Sequence, residues 1–319
     1  PYHVGQLELA LSVSIGISVY PNDGLEIDTL INHADAAMHH AKQTGRNHCQ
    51  FYTPALAERA NAQSMIEHRL KTALMRDEFR LCYQPLIDMQ TNAVVSVEAL
   101  LRWTNSEVNP DRFVRVAEAT GLIGRLGEWV LSEACRQHKA WCAHGLPPIP
   151  IAVNVSSIQF RQKDFAQYLG EAMRRYQMDA AAIQIELTET TLMEDIEHAI
   201  EVLSQFKKIG IKISLDDFGT GYSSLSYLSR LPLDKIKVDK SFVHRLESDM
   251  ASRAVTEAIL ALGRTLNLEI VAEGIESAHV LNYLRGHGCN QAQGYHVCKP
   301  VFGDAFMAWY REYQAASLY

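Results

Sequence analysis

The sequence predicts an α/β protein: a TIM-like (β/α)8 barrel with one antiparallel strand, preceded by a small α/β fragment. The chain has 319 residues, 47% of them hydrophobic, which is enough for one large domain or for a large and a small one. From about Glu78 onward, eight short apolar segments alternate with longer amphipathic ones, as in a (β/α)8 barrel. The first two segments are separated by only about eight residues, whereas a parallel crossover needs roughly a dozen or more, so we expect this pair to form a hairpin.

The strand predictions rest on short runs of apolar and β-branched residues, and the helix predictions on apolar residues spaced three and four apart. The eight predicted strands cover residues 80–85, 94–101, 151–155, 183–187, 212–215, 235–238, 269–272 and 292–295. The predicted helices cover residues 110–144, 160–176, 196–208, 222–229, 250–266, 278–286 and 302–313.

A separate unit is predicted at the N terminus. Residues 9–20 (LALSVSIGISVY) favour a strand pair, and PNDG at 21–24 favours a turn. A helix is predicted over 27–44, ended by Gly45, and a short strand over 48–52. This is too little for a complete α/β domain, so we interpret the chain as a fragment of a longer protein. The predicted organisation is residues 1–53 for this fragment, 54–74 for a helical connector and 75–319 for the barrel.

The net charge argues against a protein that binds nucleic-acid polymers. Thirty Lys and Arg stand against 37 Asp and Glu, a formal net charge of −7. A broadly basic surface is therefore not expected. If this acidic chain handles a phosphate substrate, it should neutralise that charge locally, with metal ions or a few placed Lys and Arg.

The cysteines and the hydropathy pattern favour a cytoplasmic location. None of the six Cys forms a C-x-x-C pair, and a reducing compartment suits them better than a disulfide framework. No apolar run approaches the roughly 18–20 residues of a membrane span, and no signal peptide is visible. An upstream sensor or membrane segment of a longer parent protein would not be visible in this sequence.

Polar and acidic residues follow nearly every predicted strand. Because functional residues of a barrel cluster at the carboxyl ends of its strands, we expect these side chains to share one site. They are Glu98 and Arg102, Asn154, Glu186 and Glu189, Asp216 and Asp217, Lys237 and Asp239, Glu273, and Gln293.

The alternation of residues within a strand indicates which side chains point inward. Glu186 lies between two apolar residues and so points into the barrel, as does Glu98. An unpaired carboxylate there would cost several kcal/mol, and a shared divalent cation would offset that cost. A site of carboxylate and amide oxygens favours Mg²⁺ or Mn²⁺, with Ca²⁺ as an alternative, over zinc. The adjacent Asp216 and Asp217 would suit two ions, the usual arrangement for attack on a phosphoryl group.

Each residue taken alone also has a simpler interpretation. A Glu between Val and Ala is commonly a surface strand residue, Asp216–Gly219 is compatible with a capped turn, and Lys237 with a solvated face. Acids at the ends of four strands, together with a lysine and an amide, are not explained by exposed surface alone.

The motifs resemble those of the EAL phosphodiesterases. Glu98–Trp103 (EALLRW) is similar to the signature of that family, and the likeness extends over about 240 residues. It includes YQP at 83–85, NVS at 154–156, ELTE at 186–189, DDFGTG at 216–221, KVD at 237–239, AEG at 272–274 and QGY at 293–295. The resemblance implies hydrolysis of cyclic di-GMP (c-di-GMP) to linear 5′-pGpG by water, with two Mg²⁺ or Mn²⁺ ions.

The resemblance also implies a role for each motif residue. Glu98, Asn154, Glu186 and Asp216 would hold one ion, and Asp216, Asp217 and Glu273 the second. Lys237 would contact the attacking water, so that Lys237, Glu273 and Glu98 form the catalytic set. Arg102 would meet a phosphate and Gln84 a guanine, with Gln293 supporting the substrate from the last strand. Glu189 would brace the loop over residues 217–223, and Asp239 would lie behind the ligands.

The N-terminal unit resembles the last third of a GGDEF diguanylate cyclase domain. The likeness is carried by SIGI at 14–17, ADAAM at 34–38, Ala41-Lys42 and GRN at 45–47. The GGDEF sequence itself is absent, so cyclase activity is not expected from this chain. The family resemblance further implies a homodimer. Inhibition by Ca²⁺, which could occupy the site with the wrong geometry, is left open by the sequence, as is the choice between Mg²⁺ and Mn²⁺.

Two departures from the EAL pattern are present. Residues 104–109 are shorter than the family's segment and lack its His-Pro and Gly, and Phe302 stands in the region of a family proline. Neither removes a predicted ligand, although the first could alter substrate access or rate. The alternative function is a c-di-GMP receptor that binds without efficient turnover. A lost Glu98 or Asp217 would have favoured it, and both are present.

Overall fold

The chain divides into two compact units, residues 1–72 and 73–319. The structure is a computed structural model and describes residues 2–4, 7–9, 12–45, 47–221 and 225–316. Part of the predicted strand pair over 9–20 and the start of the predicted helix over 222–229 lie outside these residues. The predicted domain boundaries at 53 and 74 stay a prediction.

The N-terminal unit is a small helix-on-sheet arrangement. Its elements are β1 (Tyr2–Val4), β2 (Leu7–Leu9), β3 (Ile15–Ile17), α1 (Ile27–Gln43), β4 (Cys49–Phe51) and the start of α2 (Pro54–Met75). β1 pairs with β2 antiparallel, and β3 pairs with β4 parallel. A Cβ at Gly16 would collide with the backbone of Ala34 and Met38, so the helix approaches the strand closely at this glycine. The predicted helix and the strand over 48–52 are present.

The second unit is built on nine strands. They are β5 (Phe79–Asp88), β6 (Val94–Trp103), β7 (Ile151–Asn154), β8 (Ile183–Thr188), β9 (Lys212–Phe218), β10 (Lys235–Val238), β11 (Glu269–Ala272), β12 (Gln291–Ala292) and β13 (Val301–Phe302). β5 and β6 form the predicted antiparallel hairpin, and the strands from β6 to β12 pair in parallel order. β12 then pairs antiparallel with β5, which closes an eight-stranded barrel. The predicted fold class is therefore confirmed.

The helices lie between the strands along the chain. They are α3 (Pro110–Ala119), α4 (Ile123–Ala143), α5 (Ser157–Phe160), α6 (Phe165–Arg175), α7 (Glu189–Met193), α8 (Ile196–Lys208), α9 (Leu225–Leu228), α10 (Lys240–Val243), α11 (Met250–Leu266), α12 (Ala278–Gly286) and α13 (Gly303–Ala316), with a 3₁₀ turn over Ala180–Ala182. The single helix predicted over 110–144 is wrong, because Gly121 adopts a φ of +74° and separates α3 from α4. The helix predicted over 160–176 is likewise two helices. β13, which adds to β5 beside the barrel, was missed because it has only two residues.

The two faces of the barrel strands differ in chemistry. Their outward-facing residues, such as Val97, Ile185 and Ile236, are buried in the apolar core that the helices cover. The inward-facing residues are largely polar and also buried: Gln84, Ser96, Glu98, Gln184, Glu186, Ser214, Lys235, Lys237, Gln291 and Gln293. Because buried polar groups must find partners, this interior requires a connected polar network.

In the part of the chain that the structure describes, no helix is both long and apolar enough to cross a bilayer.

Candidate active site

Lys237 lies at the centre of the candidate site. It points into the barrel from β10, and its side chain is 1% exposed. Its Nζ lies 2.6 Å from Glu273 Oε1 and 2.8 Å from Glu186 Oε2, while oxygens of Asp216 and Glu98 lie at 3.3 and 3.6 Å. Acids from β6, β8 and β9 and from the end of β11 therefore surround one ammonium group.

Asp216 and Asp217 are neighbours in sequence, yet both reach this site. Ile236 of β10 pairs with Leu215, whereas Val238 pairs with Phe218, so two residues of β9 lie opposite Lys237 alone. This extra residue is a β-bulge. Asp217 adopts a φ of +54°, a left-handed conformation uncommon outside glycine. The bulge suspends the strand alternation and lets consecutive aspartates share one site.

Two amide groups hold the carboxylate of Glu98. Asn154 Nδ2 donates to Glu98 Oε1 at 2.7 Å, and Gln293 Nε2 donates to Glu98 Oε2 at 2.6 Å. A carboxylate accepts and does not donate hydrogen bonds. The amide nitrogen of Asn154 must therefore face Glu98, which leaves Asn154 Oδ1 free to act as a cation ligand.

The charge of Lys237 is strongly stabilised. Burial alone would lower the pKa of Lys237, but Asp216, Glu186, Glu273 and Glu98 raise it well above its ordinary value. Burial alone would likewise raise the pKa of Glu98, but Lys237 and the two amide donors outweigh burial and lower it. Both groups are thus charged at neutral pH, and Lys237 acts as a fixed cation.

The remaining acids are less well neutralised. Burial raises the pKa of Glu186 to about 8 despite Lys237, and neighbouring carboxylates contribute to this shift. Burial and adjacent acids also raise the pKa of Asp217 to about 6 and that of Glu273 well above its usual range. One ammonium group is therefore too little positive charge for five clustered carboxyl groups. A divalent cation would favour their charged forms.

The donor atoms fit a hard divalent cation. One oxygen each of Asp216, Asp217 and Glu273 lie within 4.8 Å of one another. Glu98, Glu186 and the free Oδ1 of Asn154 supply further oxygen donors. Within the described ranges, no histidine or cysteine joins the carboxylates of this group. Such oxygen-only sites suit Mg²⁺, Mn²⁺ or Ca²⁺ rather than zinc.

A cavity of about 400 Å³ opens beside the acids. One side is formed by Asn154, Glu186, Asp216 and Asp217, and Arg102 also lines it. The rest of the lining is largely apolar and includes Ile123, Leu126, Val130, Phe165 and Leu169 from α4 and α6. Most of these side chains are buried in the core, so the polar side of the cavity is the part that is open to a phosphate ligand.

Two further predicted residues contact the loop that carries Asp217. Glu189 is 3% exposed, and its Oε2 accepts a hydrogen bond from the backbone N–H of Gly219 at 3.2 Å. Asp239 lies beside Asp217, where its charge contributes to the raised pKa of Asp217, and it also caps α10 by accepting from Ser241 N–H at 2.9 Å. The contact of Glu189 agrees with the predicted bracing as far as residue 221. Ser223, the end of the predicted loop, lies outside the described residues.

Gln84 and Gln293 lie on the opposite side of Glu98 from Asn154. Gln293 Nε2 also donates to Gln84 Oε1 at 3.1 Å, and Gln84 Nε2 donates to the carbonyl oxygen of Cys298 at 3.1 Å. Both polar atoms of Gln84 therefore bond to protein groups. Its predicted contact with a guanine stays a prediction.

Sequence reasoning missed Asp111 and Glu118, which line the cavity from α3. Burial raises the pKa of Glu118 despite the nearby Arg115. These residues lie within a helix, whereas the sequence indicates functional residues of a barrel mainly at the ends of its strands. The bulge at Asp217 was missed as well, since no residue pattern distinguishes it from an ordinary strand end.

The fold and the acids define the class of protein: a barrel whose strand ends carry an oxygen-rich site suited to divalent cations. A family model described as EAL domain matches residues 67–300, and one described as diguanylate cyclase, GGDEF domain, matches residues 1–48. The chain belongs to the EAL domain family, and its N-terminal segment is similar to a GGDEF domain. Both resemblances predicted from the sequence are confirmed.

Curated relatives align with almost the whole chain. The bifunctional diguanylate cyclase/cyclic di-GMP phosphodiesterase MucR of Pseudomonas aeruginosa is 41% identical over 311 residues, which is 97% of this chain and 45% of MucR. The cyclic di-GMP phosphodiesterase PdeR of Escherichia coli is 37% identical over 98% of this chain and 48% of its own length. The chain thus spans about half the length of these relatives.

Solved structures agree with the fold. The P. aeruginosa MucR phosphodiesterase in complex with c-di-GMP is 41% identical, covers 76% of this chain and 99% of its own, and superposes with a TM-score of 0.73. The EAL domain of Mycobacterium smegmatis DcpA is 34% identical, covers 73% of this chain and 98% of its own, and has a TM-score of 0.65.

Proposed function

We propose that this chain is a phosphodiesterase that hydrolyses c-di-GMP to linear 5′-pGpG. The observation that carries the proposal is the group of five acids around Lys237, two of them brought together by the bulge in β9, beside a cavity with an apolar wall. The names of MucR and PdeR, and the c-di-GMP in the solved MucR complex, support the substrate.

The acids divide into two ligand sets for Mg²⁺ or Mn²⁺. Glu98, Asn154, Glu186 and Asp216 would hold one ion, and Asp216, Asp217 and Glu273 would hold the second. When bound, such ions polarise phosphoryl oxygens and lower the pKa of a water molecule. Ca²⁺ fits the same oxygen donors with a looser geometry, and we expect it to inhibit.

Lys237 and Glu273 act on the attacking water. The ammonium group of Lys237 is fixed by four carboxylates, so it can donate a hydrogen bond in a set direction with little reorganisation. Glu273 Oε1, 2.6 Å from Lys237 Nζ, accepts a hydrogen bond from the same water. Together they direct a lone pair of the water oxygen towards phosphorus.

Arg102 and the cavity walls position the substrate. Arg102 NH1 donates to the carbonyl oxygen of Leu101 at 2.9 Å, which holds the guanidinium at the cavity wall, where its remaining N–H groups can bind a phosphate. The residues that line the cavity beside Arg102 bound the space left for the rest of the substrate. Gln293 supports the site from the end of β12, through Glu98.

Two further parts of the proposal concern the domains and the assembly. Residues 1–53 are the C-terminal part of a GGDEF-like domain, 54–74 are a helical connector, and 75–319 are the catalytic domain. The chain forms a homodimer.

Chromatography of c-di-GMP incubated with the purified chain and Mg²⁺ tests the activity, with EDTA as the control. We expect pGpG to appear only when the cation is present. Tight binding of c-di-GMP without product would instead favour the receptor function. Absence of both product and binding would contradict the proposed substrate.

A further inference from the structure

Three buried side chains on one side of the site form a relay of hydrogen bonds. Gln293 Nε2 donates to Glu98 Oε2 at 2.6 Å and to Gln84 Oε1 at 3.1 Å. Gln84 Nε2 then donates to the carbonyl oxygen of Cys298 at 3.1 Å. Gln84 and Gln293 are 7% and 4% exposed, so protein groups rather than solvent determine how their amides are turned.

The direction of every bond in this relay follows from Glu98. A carboxylate only accepts hydrogen bonds, so Gln293 must present its NH₂ group to Glu98. The second N–H of that group needs another acceptor, which obliges Gln84 to present its oxygen. The NH₂ group of Gln84 is thereby turned towards the carbonyl of Cys298, which can only accept.

Gln84 stabilises the amide of Gln293 on the side opposite Glu98. Gln84 and Glu98 are direct cross-strand partners in the β5–β6 hairpin, yet Gln84 bonds to Gln293 instead of to Glu98. The oxygen of Gln293 is buried and finds no hydrogen-bond donor in the described part of the chain. The amide of Gln293 is therefore oriented only through its NH₂ group, by Glu98 and Gln84.

We propose that Gln84 is a positioning residue that acts through Gln293 on the carboxylate of Glu98. The amide of Gln84 sets the rotamer of Gln293. Gln293 in turn holds the carboxylate of Glu98 in the orientation in which it can bind a divalent cation. The consequence for catalysis rests on the proposed function, whereas the consequence for cation binding does not require turnover. A contact between Gln84 and a nucleobase is the competing role.

The test uses Gln84→Met and Gln293→Met, singly and together, since Met nearly matches Gln in shape but lacks the amide. Calorimetric titration with Mn²⁺, without substrate, measures the cation site directly. We expect Gln84→Met to weaken Mn²⁺ binding by about 10–100-fold, the range for groups that orient a metal ligand. Adding it to Gln293→Met should weaken binding by no more than about 2-fold further, because the relay is already broken.

Gln184→Met is the matched control. Gln184 is also a buried, inward-facing glutamine, on β8, 3% exposed, but it is not part of the relay. We expect it to leave Mn²⁺ affinity unchanged. The proposal is overturned if Gln84→Met binds Mn²⁺ as tightly as the wild-type chain. It is also overturned if Gln84→Met raises the KM for c-di-GMP by the same factor in the wild-type chain and in Gln293→Met, because the effect would then not pass through Gln293.

Thermal unfolding of the wild-type chain, the two single variants Gln84→Met and Gln293→Met, and the double variant tests the relay in the absence of any cation. Coupled residues predict that the double variant loses less in its unfolding midpoint than the sum of the two single losses. Additive losses would overturn the proposal. If the wild-type chain bound no Mn²⁺, the proposed function would be contradicted, but the unfolding midpoints would still test the relay.

If Gln84→Met does not fold, Gln84→Asn takes its place. Its side chain is one methylene too short to span both partners.

Discussion

The ammonium nitrogen of Lys237 lies 2.6 Å from Oε1 of Glu273, the shortest of its four ion pairs in the described structure. Neither residue lies near the other in sequence, and each comes from the end of a different strand. Lys237 is buried and Glu273 partly buried at the point where Asp216 and Asp217 also converge, which makes Lys237 the residue on which the geometry of the site depends most directly.

Lys237→Met should lower kcat by about 10²–10³-fold, the loss typical for a fixed donor that acts in the transition state. The KM for c-di-GMP should change far less, because in the proposed mechanism the lysine acts on the attacking water. Steady-state kinetics measure both. Lys235→Met is the control, since Lys235 is buried on the same strand but bonds to Gln291 at 2.9 Å. A KM that rises as steeply as kcat falls would show that Lys237 anchors phosphate.

Glu98→Ala should reduce turnover to background, because this carboxylate is held by Asn154 and Gln293 as a ligand and has no substitute on β6. The loss should persist at saturating Mg²⁺. Circular dichroism before the assay checks that the barrel is intact. Appreciable residual turnover in a folded variant would contradict the ligand role of Glu98.

Glu189→Ala should weaken Mn²⁺ and c-di-GMP binding together by about 10-fold, because it releases the backbone N–H of Gly219 and with it the loop that carries Asp217. Calorimetry with each ligand measures both effects. Unchanged affinities for Mn²⁺ and c-di-GMP would show that Glu189 does not stabilise the loop that carries Asp217.

Gly221→Ala tests the same contact from the loop side. A Cβ at Gly221 would lie 2.5 Å from Glu189 Oε1, which is too close for an undisturbed loop. We expect the variant to lose activity in the wild-type background and to cause no further loss alongside Glu189→Ala. An equal loss in both backgrounds would indicate a cause other than Glu189.

Gly127→Ala should lower the thermal unfolding midpoint, because the new methyl group would collide with the amide of Gln159 beneath α4. Overpacking of this kind costs about 1–3 kcal/mol. Gly170→Ala on α6 is the comparison, since a Cβ there meets no atom within 4 Å in the described structure. It should instead stabilise the helix by about 0.5–1 kcal/mol. If the unfolding midpoints of Gly127→Ala and Gly170→Ala shifted in the same direction, the close packing of Gly127 against Gln159 would be contradicted.

Thiol titration should separate the six cysteines into two groups. Cys49 and Cys142 are exposed, whereas Cys82, Cys135, Cys289 and Cys298 are buried. Burial raises the pKa of Cys135 and of Cys289 to about 12, so thiolate formation at pH 8 is negligible there. Ellman's reagent should therefore react quickly with two thiols in the native chain and with six in denaturant. Rapid reaction of more than two would show that the core is more open.

Much of the barrel could be predicted because its signals are local. Apolar strand segments and helical spacing identified the eight strands of the ring, and the short link between residues 85 and 94 revealed the hairpin. The break at Gly121 was missed, since a glycine in a helical pattern signals a stop only when its φ is positive, which the sequence does not specify.

The site was predicted in composition but not in geometry. Strand ends indicated where Glu98, Glu186 and Glu273 belong, and strand alternation indicated that Glu98 and Glu186 point inward. The bulge at Asp217 and the relay from Gln84 to Glu98 depend on register and on side-chain direction across strands far apart in sequence. A single sequence carries neither. Asp111 and Glu118 reach the cavity only because of the way α3 packs.

Hydrolysis of c-di-GMP in ¹⁸O-enriched water with Mg²⁺ tests the central claim most directly. Water that attacks phosphorus must leave one ¹⁸O atom in the terminal 5′-phosphate of pGpG, and mass spectrometry locates it. We expect a linear product with one ¹⁸O label for the wild-type chain and none for Glu98→Ala. An unlabelled product, or a label on a guanosine hydroxyl group, would contradict attack of water on phosphorus at this site.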